Sequence, residues 1–345
     1  MQSTAPLVLM NDMKKIYYVV FWIFLFLLLD WGIGFLYHQI IAHSNRLRVK
    51  SIRYHHDLQP DFAGVDNWGG FDQAYFTNSL GFRDRVVRNV SLKKETNRRI
   101  VFIGDSFAEG VGVAYDSSFI GRIQQALRRS NTEVLNAGVV TYSPRLYYLK
   151  MKYLIEQKGL ELDELFVIID NADVQDEIVY DGWTPGFWHY STTLSLIEKV
   201  QTRIKKISTP TITWDEKDYY AEREKWLYEP AILQKWGKRG LSFSIKHLLL
   251  LKQVCQAYGI KLGVIIFPRP EQIKRGSLTD SFKTTWKKFC SEQSIKMIDL
   301  YPDFIQPATT QNADSIIKRY FIPGDVHWNT SGHEKIATAF LTQYQ

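Results

Sequence analysis

The sequence predicts a three-layer α/β fold, a parallel sheet flanked by helices, preceded by one N-terminal transmembrane helix. Three observations carry that prediction. Residues 16–37 read IYYVVFWIFLFLLLDWGIGFLY, with Asp30 as the one charge, and about 20 apolar residues suffice to cross a bilayer core. From Arg99 onward, short runs that are apolar on every position alternate with segments of helical period. Strands of that kind belong to a parallel sheet covered on both faces. The chain has 345 residues, 45% of them apolar and 14% aromatic, which is enough to build one large core.

The elements follow in order. Residues 1–15 are a tail. In the span at 16–37, aromatic residues gather toward both ends, as interface anchors do. A helix apolar on all faces at the N-terminus is not the pattern of a core helix. Its length, and the lack of an A-x-A site after it, argue against a cleaved signal peptide. Asp30 is costly inside a span and marks either a contact with another membrane protein or a position near the interface. Lys14 and Lys15 precede the span, and Arg46, Arg48, Lys50 and Arg53 follow it. A plain charge count would leave the C-terminal bulk in the cytoplasm, but long domains translocate largely regardless of charge.

Residues 38–98 have weak periodicity and read as a juxtamembrane segment with few regular elements. The domain proper is expected at 99–345. RIVFIG (99–104) is a strand. Residues 118–129 have helical spacing, with Phe119, Ile123, Ala126 and Leu127 on one side. EVLNAG (133–138) is a strand. The next helix opens with Ser143 as N-cap and Pro144 at its first position and closes at Gly159. ELFVIID (164–170), KLGVIIFP (261–268) and IKMIDL (295–300) are further strands. Helices fill 241–259 and 282–293, and Thr330 and Ser331 open the last one. Residues 171–240, rich in Trp, Tyr and charge, interrupt the alternation and read as an insertion or cap.

The net charge of +7 is dispersed, with no basic helix, which argues against nucleic-acid binding. Cys255 and Cys290 are the two cysteines. Without a C-x-x-C or a His/Cys cluster there is no structural zinc pattern, and both read as buried free thiols. His55, His56 and Asp57 lack a third ligand at metal spacing, so they read as a loop.

Chemistry concentrates in IGDSFAEG (103–110). Gly, Asp and Ser form turns readily, but Ser106 also falls at the end of the first apolar strand. Gly138 follows the second strand and Asn171 the third, so all three lie along the carboxyl edge where such sheets bind ligands. Near the C-terminus, GDVHWN (324–329) holds Asp325 and His327 two apart, on one face of an extended segment. A serine nucleophile needs a base in reach and a third group to fix the imidazole tautomer, and Ser106, His327 and Asp325 supply all three. Such acyl chemistry needs no metal or other cofactor. Arg83 and Arg269 bind a carboxylate or anchor a turn. Trp183, Trp188 and Trp328 stack on sugar rings or pack.

These blocks resemble the SGNH/GDSL hydrolase superfamily over roughly 99–345: GDS (104–106), Asn-Ala-Gly (136–138), and Asp325 with His327 just before the final helix. NSLGFRD (78–84) resembles a motif that precedes the nucleophile in membrane-anchored members. Asp-x-His-Trp, in place of the superfamily's usual Asp-x-x-His, is similar to the alginate O-acetyltransferase-like branch. The resemblance implies a flavodoxin-like sheet, Ser106 as nucleophile, His327 as base and Asp325 as its partner. It implies an oxyanion hole from the Ser106 and Gly138 N–H groups, to which the third block adds a side-chain amide. Trp328, beside the proposed base, reads as a substrate wall, and Arg83, within the NSLGFRD motif, as a further substrate contact. The third block departs from the pattern: Ala172 stands where Asn belongs, and Asn171 is one residue out of register.

By the same resemblance, the domain is extracytoplasmic on an N-in, C-out anchor. It takes an acyl group from a donor, with a membrane acyltransferase as partner, and passes it to a glycan or lipid acceptor. Transfer to water would make it an esterase. A reading of another class is a catalytically weak, membrane-tethered adaptor on the same scaffold, which the altered third block motivates.

Overall fold

The computed structural model describes residues 5–42, 46–197, 200, 219–220 and 222–344. The chain divides into two compact units. One comprises the described residues within Met1–Ser44 and Thr184–Thr211, the other those within Asn45–Trp183 and Ile212–Gln345.

In the first unit, helix α1 runs Ala5–Ala42. Its stretch Met13–Tyr37 is 25 residues long, apolar enough to cross a membrane, and not buried against the protein. At 1.5 Å per residue that is about 38 Å, more than the ~30 Å hydrocarbon core requires. Residues Phe187–Tyr190 form a short 3₁₀ turn, and residues 192–197 are helical.

The second unit carries the sheet. Strands β1 (Arg48–Ser51) and β2 (His55–Leu58) form a separate antiparallel pair. The main sheet contains β3 (Ala63–Trp68), β4 (Phe71–Thr77), β5 (Arg83–Asp84), β6 (Arg98–Ile103), β7 (Thr132–Asn136), β8 (Glu164–Ile169), β9 (Lys261–Ile266) and β10 (Lys296–Asp299). Its spatial order is β10-β9-β8-β6-β7-β5-β4-β3. The five strands from β6 onward are mutually parallel, in the flavodoxin-like order with β6 at the switch point. All of β8 is buried, as a strand covered on both faces must be.

The 38–98 segment departs from expectation. It supplies five strands, and β3, β4 and β5 extend the parallel sheet on an antiparallel edge, so the sheet is mixed. β3 (AGVDNW) alternates exposed and half-buried positions. An edge strand of that kind carries polar and small residues and gives no continuous apolar run. NSLGFRD (78–84) is the sharp turn between β4 and β5. The Asn78 Oδ1 accepts the Leu80 N–H at 3.0 Å and the Phe82 N–H at 3.2 Å. Gly81 has φ +71°, and a Cβ there would lie 2.6 Å from the Leu58 carbonyl oxygen, so only glycine fits.

Between the strands lie α2 (Ser106–Glu109), α3 (Phe119–Leu127), α4 (Pro144–Lys152) and α5 (Asp173–Val179). After them come α6 (Lys238–Ala257), α7 (Pro270–Arg275), α8 (Ser281–Glu292), α9 (Tyr301–Thr310), α10 (Ala313–Tyr320) and α11 (Thr330–Tyr344). The core runs through Phe102, Phe166 and Phe340, whose rings meet pairwise at 5.1–5.4 Å. Cys255 and Cys290 are buried free thiols. Within the expected 171–240 insertion, residues 198–199, 201–218 and 221 lie outside the described residues. Trp226 and Trp236 are fully buried, and Trp226 Nε1 donates to the Asn171 carbonyl at 3.1 Å.

Candidate active site

β6 ends at the carboxyl edge, and the chain turns at once into α2. Asp105 is the N-cap, its Oδ1 accepting the Phe107 N–H at 3.0 Å. Ser106 is the first helical residue, so its N–H has no carbonyl one turn back to bond. Gly110 closes the turn in the left-handed region at φ 80°.

Arriving from the other end of the chain, residues 321–328 form a tight loop before α11. Phe321 and Trp328 pair across it, and the Ile322 N–H donates to the His327 carbonyl at 2.9 Å. The loop folds the Asp325 carboxylate onto its own backbone and onto the imidazole. Its Oδ1 accepts the Val326 N–H at 2.6 Å, the His327 N–H at 3.2 Å and His327 Nδ1 at 2.6 Å. Its Oδ2 accepts the indole N–H of Trp68 at 2.9 Å. With Nδ1 holding its proton toward Asp325, Nε2 presents its lone pair to the Ser106 hydroxyl, 2.8 Å away. Burial alone would raise the Asp325 pKa. The hydrogen bond and charge of His327, with the Trp68 indole, outweigh it and hold the carboxyl well below its ordinary range. Ser106 is 7% exposed and His327 8%. Trp68 and Phe107 stand against the imidazole at 5.1 and 4.7 Å between ring centroids.

Four expected site residues sit elsewhere. The Gly138 N–H donates to the Asn136 Oδ1 at 3.0 Å, because Asn136 also donates to the Ala108 carbonyl at 2.9 Å and stitches the loop after β7 to α2. Gly138 is instead a point of close approach: a Cβ there would lie 2.5 Å from the Glu109 backbone nitrogen. Asn171 is 1% exposed, and its amide donates to Gln272 Oε1 at 3.1 Å. Trp328 is 1% exposed and packs on Phe107, Phe119 and Phe267, so it is core rather than a substrate wall. Arg83 is also 1% exposed. It donates to the carbonyls of Glu109, Gly110 and Val113 and holds the end of α2, rather than facing substrate. Gly138 and Arg83 are used to support the turn that carries Ser106, the Asn171 amide is taken by Gln272, and Trp328 is ring packing.

Under Ser106 lies a second acidic group. One carboxylate oxygen from each of Asp105, Asp170 and Asp173 lies within 4.8 Å of the other two. Arg269 takes Asp170 as a fork, through Nε at 2.8 Å and through Nη2, and reaches Glu224 at 2.9 Å. Tyr147 donates to Asp173 Oδ2 at 2.8 Å. One guanidinium does not neutralise three carboxylates. Burial and then the charge of Asp170 push the Asp105 carboxyl up to about 8. Burial and then the charges of Asp105 and Asp170 push Asp173 well above the carboxylate range. Among the described residues this is the one His/Cys/Asp/Glu set close enough to hold a metal. Both Asp170 oxygens already face Arg269, and the raised pKa values favour protons there.

Three structural supports had no sequence signal. Trp68 meets Asp325 across 257 positions. Glu109 is fully buried and accepts from Arg48 at 2.6 Å, Tyr75 at 2.9 Å and the Val140 N–H at 2.8 Å. His56, read as a loop residue, lies in β2 with Nε2 2.9 Å from the Val140 carbonyl. Burial lowers its pKa to about 4, so it is neutral at pH 7.

No protein-family profile and no curated protein sequence matches the chain. Solved structures with a similar arrangement include a catalytic mutant of Axe2, an acetylxylan esterase from Geobacillus stearothermophilus. It is 15% identical and covers 73% of this chain and 95% of that one, with a TM-score of 0.44. The acetyl xylan esterase AlAXEase is 17% identical over 71% and 98% of the two chains, with a TM-score of 0.43. LAE5, an α/β hydrolase from the metagenome of Lake Arreo, Spain, is 14% identical over 73% and 97%, with a TM-score of 0.40. Likenesses this low carry no inference about the chemistry of this chain.

Proposed function

We propose that this chain is a membrane-anchored serine acyl-transfer enzyme that works as an O-acyltransferase on a cell-envelope or extracellular glycan. The observation that carries the reading is the relay Ser106 Oγ to His327 Nε2 at 2.8 Å and His327 Nδ1 to Asp325 at 2.6 Å. In the first half-reaction, Ser106 Oγ attacks the acyl carbonyl and its proton passes to His327 Nε2. The tetrahedral adduct collapses, the bond to the donor's leaving group breaks, and His327 returns the proton to that group. An acceptor hydroxyl then attacks the acyl-Ser106 ester with His327 as base, and Ser106 recovers its proton. With water as acceptor the same site is an esterase. The apolar α1 motivates a membrane-borne acyl donor, a membrane acyltransferase as its source, and an extracytoplasmic acceptor.

A second reading is favoured by the occupied Gly138 N–H and the engaged Asn171 amide: a tethered scaffold of weak activity. One missing oxyanion donor typically costs ~10²–10³ in rate. Full-length protein in membranes, treated with a fluorophosphonate and read by intact mass, separates the two. The enzyme reading expects one adduct that Ser106→Ala and His327→Ala both lack. Folded parent protein without an adduct would leave the scaffold reading standing.

A further inference from the structure

The charge in the span has partners within its own chain. Asp30 Oδ2 accepts the Ser191 hydroxyl at 2.5 Å and the Thr193 N–H at 3.1 Å. The next residue of α1, Trp31, donates its Nε1–H to the Phe187 carbonyl at 3.2 Å. The Tyr190 ring packs edge-on against Trp31 at 5.9 Å and Phe35 at 5.4 Å. A Cβ at Gly34 would lie 1.6 Å from the Tyr190 carbonyl oxygen, so the glycine is what lets this turn seat. Asp30, Trp31, Gly34 and Phe35 are spaced i, i+1, i+4 and i+5, which is one face of a helix.

On its other side the segment is apolar and uncovered. Phe187 is 64% exposed, Leu196 56%, Ile197 45% and Val200 52%. The neighbouring positions of α1 are exposed in the same way, Leu29 at 56% and Ile33 at 66%.

We propose that residues 187–197 are a second membrane element, seated in the lipid acyl chains beside the last turns of the α1 span. The proposal rests on α1 spanning the bilayer. Asp30 then lies about 10 Å inside Tyr37, at 1.5 Å per residue. There a carboxylate without partners is expensive and polar groups need protein partners. Ser191 and Thr193 supply them. That satisfaction argues against a foreign transmembrane helix as the occupant, since the group that would recruit one is already engaged. Continuity with the exposed apolar belt of α1 argues for lipid. The chain is then tied to the membrane both by α1 and through residues 187–197.

The test uses the full-length chain in phosphatidylcholine vesicles. Single cysteines at Phe187, Leu196, Phe24 and Lys288 are labelled with an environment-sensitive fluorophore. The parent chain, whose two cysteines are buried, is the blank. Phe24 reports the α1 span, and Lys288, with a side chain 73% exposed, reports water. The expected result is quenching at 187 and 196 by nitroxide-labelled lipid, as at 24, with loss of the aqueous iodide quenching seen at 288. Iodide quenching at 187 and 196 while 24 stays lipid-quenched would overturn the proposal and leave the span intact. Quenching by neither agent would show protein covering the segment and overturn it too. Iodide quenching at 24 would remove the span, and the proposal with it.

Discussion

Two carboxyl groups, Asp105 beside the Ser106 hydroxyl and Asp325 behind the imidazole, are driven in opposite directions. Asp325 gathers three N–H donors on one oxygen and the Trp68 indole on the other, and it is held well below the carboxylate range. Asp105 has the Phe107 N–H and a 3.4 Å contact with the Ser106 hydroxyl, faces two other acids, and rises to about 8. Burial raises both. What separates them is the count of donors against the count of like charges. The same side chain is a fixed anion in one place and favours its proton in the other because only the surroundings differ.

The largest test of that contrast is Asp325→Asn. The amide offers an N–H where the imidazole needs an acceptor, and the wrong tautomer is expected to cost roughly 10³–10⁴ in acylation rate. Fluorophosphonate labelling kinetics measure it, and a loss under tenfold would deny Asp325 its orienting role. Next is Arg269→Met, which leaves Asp170 buried beside two acids. Breaking a buried pair on one side costs about 3–5 kcal/mol, read as a lower urea midpoint. Asp170→Asn added to it should restore part of the loss.

Trp68→Phe keeps a ring against His327 and removes one donor from Asp325. A hydrogen bond to a charged group is worth about 1.5–3 kcal/mol, so labelling should slow roughly ten- to hundredfold. Unchanged labelling would deny the Trp68 indole a part in holding Asp325. The smallest effect is at Asp105→Asn, read in stability. An aspartate whose folded pKa lies above its ordinary value takes up a proton on folding. It therefore lowers stability progressively as the pH rises from about 4 to about 8. Thermal midpoints of the variant should fall less than the parent's across that window, and parallel slopes would exclude Asp105 as the source.

The parallel half of the fold was legible because its central strands carry continuous apolar runs. RIVFI and ELFVII have no other reading in an alternating chain, and the observed β6 and β8 cover them. The antiparallel edge was not. β3 and β4 draw on glycine, aspartate and asparagine, and their pairing is set by partners that periodicity does not reveal. The site divides in the same way. Ser106, Asp325 and His327 stand out as residue types at a strand end and before a helix. Trp68, Glu109 and Asn136 matter through what they touch.

Trp328 and Arg83 show the reverse error. Their neighbours in the sequence suggested substrate, but each is 1% exposed. Asp30 belongs with them: its cost within the span is visible in the sequence, and its compensation by Ser191 is not.

What the sequence by itself determined is what periodicity and local chemistry specify: the apolar length of α1, the alternating strands and helices, and the turn-forming Gly-Asp-Ser that sets Ser106 at the end of β6. Only the tertiary structure decided which donors remained for the site, since a hydrogen bond is exclusive. The Gly138 N–H goes to Asn136, the Asn171 amide to Gln272, and the indole of Trp68 to Asp325. Those assignments join residues up to 257 positions apart, and no local pattern in the chain records them.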